Sequence, residues 1–293
     1  MISTRSTVLA SSTRCWACEA DMTTRISVLQ MTSGIDPEAN AATIEAALEQ
    51  GSAVGAAMLF TPEMSGLIDR DRTRAKAHIV PEEQDPVLSR IRDAAARTGV
   101  WAAIGSLAVL RDDGRFANRA FVIDASGEIR ARYDKIHMFD VDLATGESWR
   151  ESNAYAPGDQ VVTVETPAGK LGLAICYDLR FPALFEALGR QRCDIIAIPA
   201  AFTVPTGQAH WHIMQRARAI EASAYVVCAA QVGQHEDGRA TYGHSMVIDP
   251  WGDVLIDLGG DEATLGFVEI DPARIAEIRK QLPSLANKRL ITK

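Results

Sequence analysis

The sequence predicts an α/β sandwich in which two β-sheets pack back to back between outer layers of helices. Strand-like and helix-like segments alternate from residue 25 onward. Several strand-like runs are apolar without strict alternation, which is typical of strands covered on both faces. Because helices are available for the outer layers, two sheets facing each other are the simplest way to bury these faces.

The first part of this region contains three predicted strands and two predicted helices. An Asp-Pro pair at residues 36–37 and another at 85–86 predict the two helix starts, because Asp caps a helix and Pro is favoured at the first helical position. Apolar residues at helical spacing follow each pair, from Ala41 to Leu48 and from Val87 to Ala95. The predicted strands are residues 26–29, 56–60 and 101–106.

Two similar segments indicate that the chain has two similar halves. Residues 122–129 read as strand, turn and strand with Asp and Gly at turn positions, and residues 247–254 repeat nearly the same phrase. Between them, strands are predicted at 171–175, 194–198 and 224–229, and helices near 182–192 and 207–223. The basic residues near the C-terminus are predicted to lie on a solvated helix face and at its end: Arg274, Arg279, Lys280, Lys288 and Arg289.

The domain organisation predicted is one domain over residues 25–293, because no linker-like tract interrupts residues 25–285. Residues 1–24 are predicted to be an N-terminal extension, either disordered or the product of an over-extended start before Met22. This segment also faintly resembles an organellar transit peptide. Cys15 and Cys18 lie within it and lack a second ligand pair for zinc, so we interpret them as incidental thiols.

The composition restricts the class of partner. The chain has 38 acidic and 30 basic residues, and its formal charge of −8 is poorly suited to nucleic acid. No apolar stretch reaches the ~18 residues of a membrane-spanning helix. Five scattered cysteines do not form a secreted disulfide framework, which favours a reducing compartment, and we predict the cytoplasm. Small molecules and other proteins remain as partners.

Several cofactor and catalytic motifs are absent from the sequence. No glycine-rich phosphate loop and no Gly-x-Ser-x-Gly elbow occur. His210 and His212 are two residues apart on a predicted helix and do not face each other, so we expect no two-histidine metal site there. The sequence therefore contains neither a phosphate-binding loop nor this pair of metal-binding histidines.

Three candidate catalytic side chains each follow a predicted strand. Cys176 ends an apolar strand shortly before a helix, where free backbone N–H groups can be close to a thiol. Glu63 also follows an apolar strand, and Lys135 follows a hairpin strand among apolar and aromatic residues. Taken singly, Cys176 fits a small buried residue equally well, Glu63 a solvated loop acid, and Lys135 a surface charge. Taken together, they are a nucleophile, a carboxylate and an ammonium at strand ends.

The sequence resembles the nitrilase, or carbon–nitrogen hydrolase, superfamily over about residues 25–289. The resemblance implies a nitrilase-like four-layer α-β-β-α sandwich with a catalytic triad of Glu63, Lys135 and Cys176. A further acid of the family matches Glu151. Thr61 stands where many members have an apolar residue, and we expect no mechanistic consequence. The three matching motif segments are residues 61–63, 134–137 and 176–182.

Within the superfamily the deaminated glutathione amidase branch is the most similar, and the omega-amidase branch shares much of its pattern. The first branch implies hydrolysis of deaminated glutathione to 2-oxoglutarate and cysteinylglycine, and the second implies release of ammonia from 2-oxoglutaramate. A nitrile or carbamoyl substrate is a further alternative. A catalytically silent binding protein on the same fold is the non-enzyme alternative, against which the intact triad weighs. The segments that carry this similarity are residues 199–203, 206–211, 216–221 and 242–252.

The resemblance implies a mechanism through a thioester. The Cys176 thiolate attacks an amide carbon, Glu63 transfers protons and Lys135 stabilises the oxyanion. Glu151 is expected to orient Lys135 or the substrate. This chemistry needs neither a metal nor an organic cofactor, so we expect none. Members of the family usually associate through helices on one side, so we expect a homodimer or a larger even homo-oligomer.

The substrate is expected to contact Tyr177, Arg180, Phe202 and Thr203. Guanidinium groups bind carboxylates through two parallel hydrogen bonds, so Arg180 is a candidate for holding a substrate carboxylate. A structural ion pair of Arg180 with Asp178 or Glu186 is equally compatible with the sequence.

Overall fold

A computed structural model describes residues 23–144, 146 and 148–289 of the chain. Its strands are β1 (Thr24–Gln30), β2 (Met58–Phe60), β3 (Trp101–Leu110), β4 (Phe116–Ile123), β5 (Ile129–Asp134), β6 (Asp140–Asp142), β7 (Ser148–Arg150), β8 (Thr163–Thr166), β9 (Gly169–Leu173), β10 (Ile195–Ala197), β11 (Tyr225–Cys228), β12 (Val232–Gln234), β13 (Ala240–Tyr242), β14 (Met246–Ile248), β15 (Val254–Asp257) and β16 (Thr264–Ile270). Its α-helices are α1 (Pro37–Ala53), α2 (Arg72–Lys76), α3 (Pro86–Thr98), α4 (Pro182–Arg190), α5 (Val204–Ala222) and α6 (Pro272–Gln281). Short 3₁₀ turns are formed by Glu82–Gln84, Glu151–Asn153 and Cys176–Arg180.

Two six-stranded sheets share one plan. Their spatial orders are β16-β1-β2-β3-β4-β5 and β8-β9-β10-β11-β14-β15. In each sheet three neighbouring parallel strands have one antiparallel strand at one side and an antiparallel pair at the other. Two smaller ladders, β6-β7 and β12-β13, lie outside these sheets. The shared plan agrees with the two similar halves predicted from the sequence.

The two repeated turn segments have the same hydrogen bonds. In the β4–β5 hairpin the Asp124 N–H donates to the carbonyl of Glu128, and Gly127 closes the turn with a φ of 82°. In the β14–β15 hairpin the Asp249 N–H donates to the carbonyl of Asp253, and Gly252 has a φ of 94°. The repeated phrase therefore encodes one turn used twice, with glycine where the left-handed backbone requires it.

The sheets face each other across a shared core, and helices cover their outer faces. Alternate residues of β1 belong to different cores: Val28 lies in the core shared with the second sheet, and Leu29 lies in the core beneath α1 and α3. On the other side, Leu188 of α4 and Trp211 of α5 pack onto the second sheet. This two-sided burial explains the continuous apolar runs. The predicted four-layer α-β-β-α sandwich is confirmed.

Some predicted boundaries and surfaces differ from the structure. Thr24 already pairs with Ile270 in the first sheet, so β1 includes the last residue of the segment predicted to be an extension. The prediction of a solvated helix face is wrong for Arg279, whose largely buried side chain bonds Asp194 and two backbone carbonyls, whereas Arg274 is partly exposed and bonds Asp249. The predicted extension and its two cysteines fall almost wholly on residues 1–22, outside the described residues.

None of the helices in the described ranges is long and apolar enough to cross a bilayer.

Gly105 allows three segments to meet behind the site region. It lies at an irregularity of β3, and its N–H donates to the hydroxyl of Thr61 over 3.0 Å. A Cβ atom at residue 105 would lie 2.2 Å from the carbonyl oxygen of Thr61 and 2.5 Å from Cβ of Pro199. Only glycine fits this contact. Thr61, the departure from the family pattern, thus has a structural hydrogen bond here.

We expect Gly105→Ala to lower the free energy of unfolding by about 1–3 kcal/mol or more, because the methyl group collides with backbone. Urea denaturation measures this change. Gly34→Ala is the control, since the atom nearest to its new methyl group is the flexible end of Glu236, and it should stay close to wild type. Equal stability of the two variants would contradict the close packing described for Gly105.

Candidate active site

Cys176 lies where the chain turns sharply after β9. It is the first residue of the 3₁₀ turn Cys176–Arg180, and its φ of 47° is left-handed, which is costly for a residue with a Cβ. Its N–H donates to the carbonyl of Pro199 over 2.8 Å. Only 8% of the residue is exposed, and it lines a cavity. The surrounding structure therefore holds the thiol at the cavity wall.

Lys135 lies between two carboxylates beside Cys176. Its Nζ is 2.9 Å from Oε1 of Glu63 and 2.9 Å from Oε2 of Glu151. Glu63 follows β2, Lys135 follows β5, and Glu151 begins the 3₁₀ turn after β7. Lys135 is 2% exposed and Glu63 is 5% exposed. The structure thus brings together all four of the residues predicted to be catalytic, from four separate segments.

Backbone and amide donors complete the environment of the two carboxylates. The Ala201 N–H donates to Oε2 of Glu63 over 2.9 Å, and the Phe139 N–H donates to Oε2 of Glu151 over 2.7 Å. The Asn118 side chain donates to both, at 2.9 Å to Glu63 and 3.1 Å to Glu151. These donors compensate for the cost of burying charge.

The pKa shifts of Glu63, Lys135 and Cys176 define their protonation states in the absence of substrate. Burial alone would raise the pKa of Glu63, but the ammonium of Lys135 and the hydrogen bonds hold it below its usual range. Burial alone would lower the pKa of Lys135, but Glu151 and Glu63 raise it well above its usual range. Burial and the neighbouring Glu63 raise the pKa of the Cys176 thiol. At neutral pH the group is therefore a neutral thiol beside an ionised carboxylate and a protonated amine.

Asp178 joins the cysteine turn to the lysine segment. Its fully buried carboxylate accepts hydrogen bonds from the Ile175 N–H at 2.9 Å, the His137 N–H at 3.0 Å and the Tyr133 hydroxyl at 2.7 Å. Burial and the nearby Asp178 raise the pKa of Tyr133, so its hydroxyl stays protonated as a donor. The two segments that carry Cys176 and Lys135 are thus fixed to one carboxylate.

The cavity beside these groups has a volume of about 320 Å³. Three of the four residues predicted to contact substrate line it: Tyr177, Phe202 and Thr203. Aromatic rings form much of its wall, with Phe139 and Tyr177 at a centroid distance of 5.0 Å in an edge-to-face arrangement. The cavity is large enough for a small organic substrate, and it is open to the thiol.

Arg180 lies beside the cavity wall and not on its lining. It is not among the described residues that line the cavity, and its guanidinium packs over the rings of Tyr177 and Phe202. The alternative ion pairs are wrong: Asp178 binds the donors described above, and Glu186 pairs with Arg190 and Lys288. Arg180 thus supports two aromatic residues of the cavity wall, and carboxylate binding by this side chain stays a prediction.

One group of side chains in the described part of the chain could hold a metal ion. Asp257 lies between two histidines, with Nε2 of His212 at 2.8 Å and Nδ1 of His244 at 3.0 Å. These contacts are also satisfied hydrogen bonds between imidazole and carboxylate, and the three residues do not line the cavity. His210 has a separate neighbour, Arg180, so His210 and His212 do not act as a pair.

Comparison with known proteins identifies the family. Residues 25–280 match the family model of carbon-nitrogen hydrolases. The chain belongs to the carbon-nitrogen hydrolase family. The family and the enzyme class predicted from the motifs are thereby confirmed.

Three relatives illustrate the similarity. The chain is 39% identical to the deaminated glutathione amidase of Yersinia enterocolitica, over 91% of this chain and 93% of the relative. It is 34% identical to the C. elegans NitFhit protein, with a TM-score of 0.83, over 91% of this chain and 65% of that one. It is 27% identical, with a TM-score of 0.74, to a mutant amidase from Nesterenkonia sp. AN1, over 89% of this chain and 98% of that one. That structure shows the result of Michael addition of acrylamide at the active-site cysteine.

Sequence reasoning missed several residues of this carbon-nitrogen hydrolase site. Asn118 and the backbone N–H of Ala201 contact Glu63, and Asp178 joins two segments of the site, whereas the sequence suggests it only as an ion-pair partner of Arg180. The local signal for Asn118 is weak, since it is a buried amide in β4 but the charged Arg119 follows it directly. The contacts themselves join residues up to 138 positions apart, which no local pattern reveals.

We expect Tyr133→Phe to destabilise the protein by about 1–3 kcal/mol, because it removes a donor from the buried Asp178 carboxylate. Activity should fall as well, since Asp178 joins the segments of Cys176 and Lys135. Urea denaturation and steady-state kinetics measure the two effects. Tyr225→Phe is the matched control, because the Tyr225 hydroxyl makes only long hydrogen bonds of 3.3–3.4 Å, both to the backbone of Asp271. An equal effect of the two variants would argue against the Asp178 contact as the cause.

Proposed function

We propose that the protein is a cysteine-dependent amidase that hydrolyses the amide of a small α-keto substrate through a thioester, with deaminated glutathione as the substrate. The observation that carries the proposal is the buried Lys135 ammonium held by Glu63 and Glu151 at the cavity that Cys176 lines. Metal and organic cofactors are not required by this chemistry. A single domain over residues 25–293 is part of the proposal.

The first step forms a bond between sulfur and the amide carbon. A free thiol is only a few per cent ionised at neutral pH, and the raised pKa of Cys176 makes that fraction smaller. A base is therefore needed as the thiol attacks. Glu63 is ionised and interacts with the thiol, so it accepts the proton while sulfur bonds to the carbonyl carbon.

Lys135 stabilises the oxyanion that this attack produces. Its ammonium is held in place by two carboxylates before substrate arrives, so no reorganisation is needed when the charge develops. The N–H of Tyr177, the residue after the nucleophile, is a second donor. Loss of one such donor typically costs about 10²–10³ in rate. Glu151 positions the ammonium and does not need to exchange protons.

The remaining steps release amine and then acid. The C–N bond breaks as Glu63 returns its proton to the departing amine, which leaves an acyl group on sulfur. Ionised Glu63 then takes a proton from water, whose oxygen attacks the thioester carbon. The C–S bond breaks, the proton returns to sulfur, and the carboxylic acid leaves. The net reaction consumes one amide and one water and regenerates the free thiol.

The identity of the substrate rests on the relatives and on the cavity. The name of the Yersinia relative gives deaminated glutathione as the substrate of that protein, at 39% identity over nearly the whole of both chains. The Nesterenkonia relative supports the cysteine as the reacting residue, since acrylamide adds to its active-site cysteine. Tyr177, Phe202 and Thr203 are proposed to contact the α-keto acyl part beside the thiol.

The assembly and compartment are also proposals. Ile213 of α5 is 70% exposed, and Ile220 and Trp251 nearby are also exposed large apolar residues. Covering this face with a second copy would give the expected homodimer or a larger even homo-oligomer. Three free cysteines are buried in the described part of the chain, which is consistent with a reducing cytoplasm.

We expect purified protein to hydrolyse deaminated glutathione with a higher kcat/KM than 2-oxoglutaramate or a small aliphatic nitrile. Release of cysteinylglycine, ammonia and acid can be followed in parallel. Cys176→Ala should abolish turnover and keep the fold, because it removes the nucleophile alone. Preference for 2-oxoglutaramate would favour the omega-amidase alternative, and inactivity on all three would favour a binding protein.

We expect kcat/KM to stay level between about pH 5 and pH 8.5. Glu63 acts as a base only when ionised, and its lowered pKa delays loss of activity until the pH falls below the usual range of Glu, about 4.3. Because the pKa values of Cys176 and Lys135 are raised, any loss of activity at alkaline pH should begin above the usual pKa of a thiol, about 8.5. Return to neutral pH after each incubation controls for unfolding. An acidic midpoint near pH 6–7 would contradict this role of Glu63.

A further inference from the structure

Four arginines on the wall of the active-site cavity differ in their partners, and we call them the cationic rim. Two of them pair with a carboxylate: Arg150 lies 2.7 Å from Asp142, and Arg239 lies 2.8 Å from Asp237. Within the described part of the chain, the other two form no ion pair with a carboxylate. The cationic rim consists of Arg70 and Arg72, which are the two without a carboxylate, and Arg150 and Arg239.

Two guanidinium groups of this rim pack over the ring of Trp149. The Arg70 Cζ is 5.5 Å from the Trp149 ring centroid, and the Arg239 Cζ is 5.3 Å from it. Such stacking restrains the otherwise flexible Arg70 side chain. The Trp149 Nε1–H is buried and has no hydrogen-bond partner among the described residues, which is uncommon for a buried donor. An acceptor supplied by a ligand would satisfy it.

A continuous row of aromatic rings connects the nucleophile to this rim. Tyr177 follows Cys176, the Phe139 ring lies 5.0 Å from the Tyr177 ring, and the Trp149 ring lies 6.3 Å from the Phe139 ring. All of these residues line the same cavity. A substrate bonded to Cys176 can therefore extend along the aromatic row toward Arg70.

We infer that Arg70, with the Trp149 N–H and Arg72, binds a carboxylate on the leaving-amine side of the substrate. This inference rests on the proposed amidase function and specifies its substrate class: an amide whose leaving group is a short peptide with a free carboxylate. Two extended residues span about 7 Å, so such a carboxylate lies well away from the scissile bond. A guanidinium fork with an adjacent N–H matches its two oxygens.

The charge of the protein favours a local cationic site for an anionic substrate. At a formal charge of −8, long-range electrostatics repels an anionic substrate, so capture depends on nearby cations. Lys135 is held by two carboxylates, whereas among the residues that the structure describes no carboxylate pairs with Arg70 or Arg72. A substrate that releases only ammonia has no group to place at Arg70.

The test compares three substrates that differ at one end. They are deaminated glutathione, the same molecule with its terminal carboxylate converted to an amide, and 2-oxoglutaramate. For deaminated glutathione, Arg70→Gln should lower kcat/KM about ten- to a hundred-fold, mostly through KM, because a charge-assisted contact is lost. For the other two substrates the change should stay below about three-fold, and Arg70→Lys should restore part of the loss.

Lys76→Gln is the matched control, since it removes one positive charge from the adjacent helix α2 and does not line the cavity. It should leave all three substrates unchanged. If the wild-type enzyme turns over the substrates but Arg70→Gln lowers kcat/KM equally for all of them, or for none, the carboxylate site is overturned. The amidase function then stands. A wild-type protein inactive on all three substrates overturns the amidase function and this site with it.

Discussion

The burial of one ammonium between two carboxylates is the constraint on which the rest of the site depends. Lys135, Glu63 and Glu151 can stay charged inside the protein only because each has several close partners. A buried ion pair that loses a partner is strongly destabilising, so the three segments that supply these groups must meet closely. The same arrangement leaves the thiol beside an ionised base. The same close contacts therefore stabilise the charged cluster and prepare it for catalysis.

The two-sheet architecture meets this requirement with parallel strands. Glu63 follows β2 in the first sheet, and Cys176 follows β9 in the second, so facing sheets bring both to one end of the sandwich. Gly105 lets β3 approach both the segment of Glu63 and Pro199, whose carbonyl holds the backbone of Cys176. Asp178 adds the link to the lysine segment. The distances within the site thus depend on packing between the sheets as much as on any single loop.

Local signals in the sequence predicted the helix starts and hairpin turns, because these depend on contacts between residues close together in the chain. The Asp-Pro pairs do cap α1 and α3, and the repeated turn phrase forms two matching hairpins. The triad could be predicted because each member follows a strand within a motif of the family. The small ladders β6-β7 and β12-β13 were not predicted, since three-residue strands depend on distant contacts. The part played by Asn118, the stacking of Trp149 and the position of Arg180 were also beyond sequence reasoning, because each depends on residues far away in the chain.

The cationic rim belongs to a different part of the fold from the reacting groups. Arg70 precedes α2, Trp149 lies in β7 and Arg239 precedes β13, and none of these elements belongs to the two six-stranded sheets. Glu63, Lys135 and Cys176 follow strands of those sheets within three residues. Selection for a new leaving group can therefore change the rim by substitution or insertion while the sheet ends keep their geometry. Such a division makes the scaffold readily evolvable: one reaction can be retained while the range of amides that it accepts diversifies.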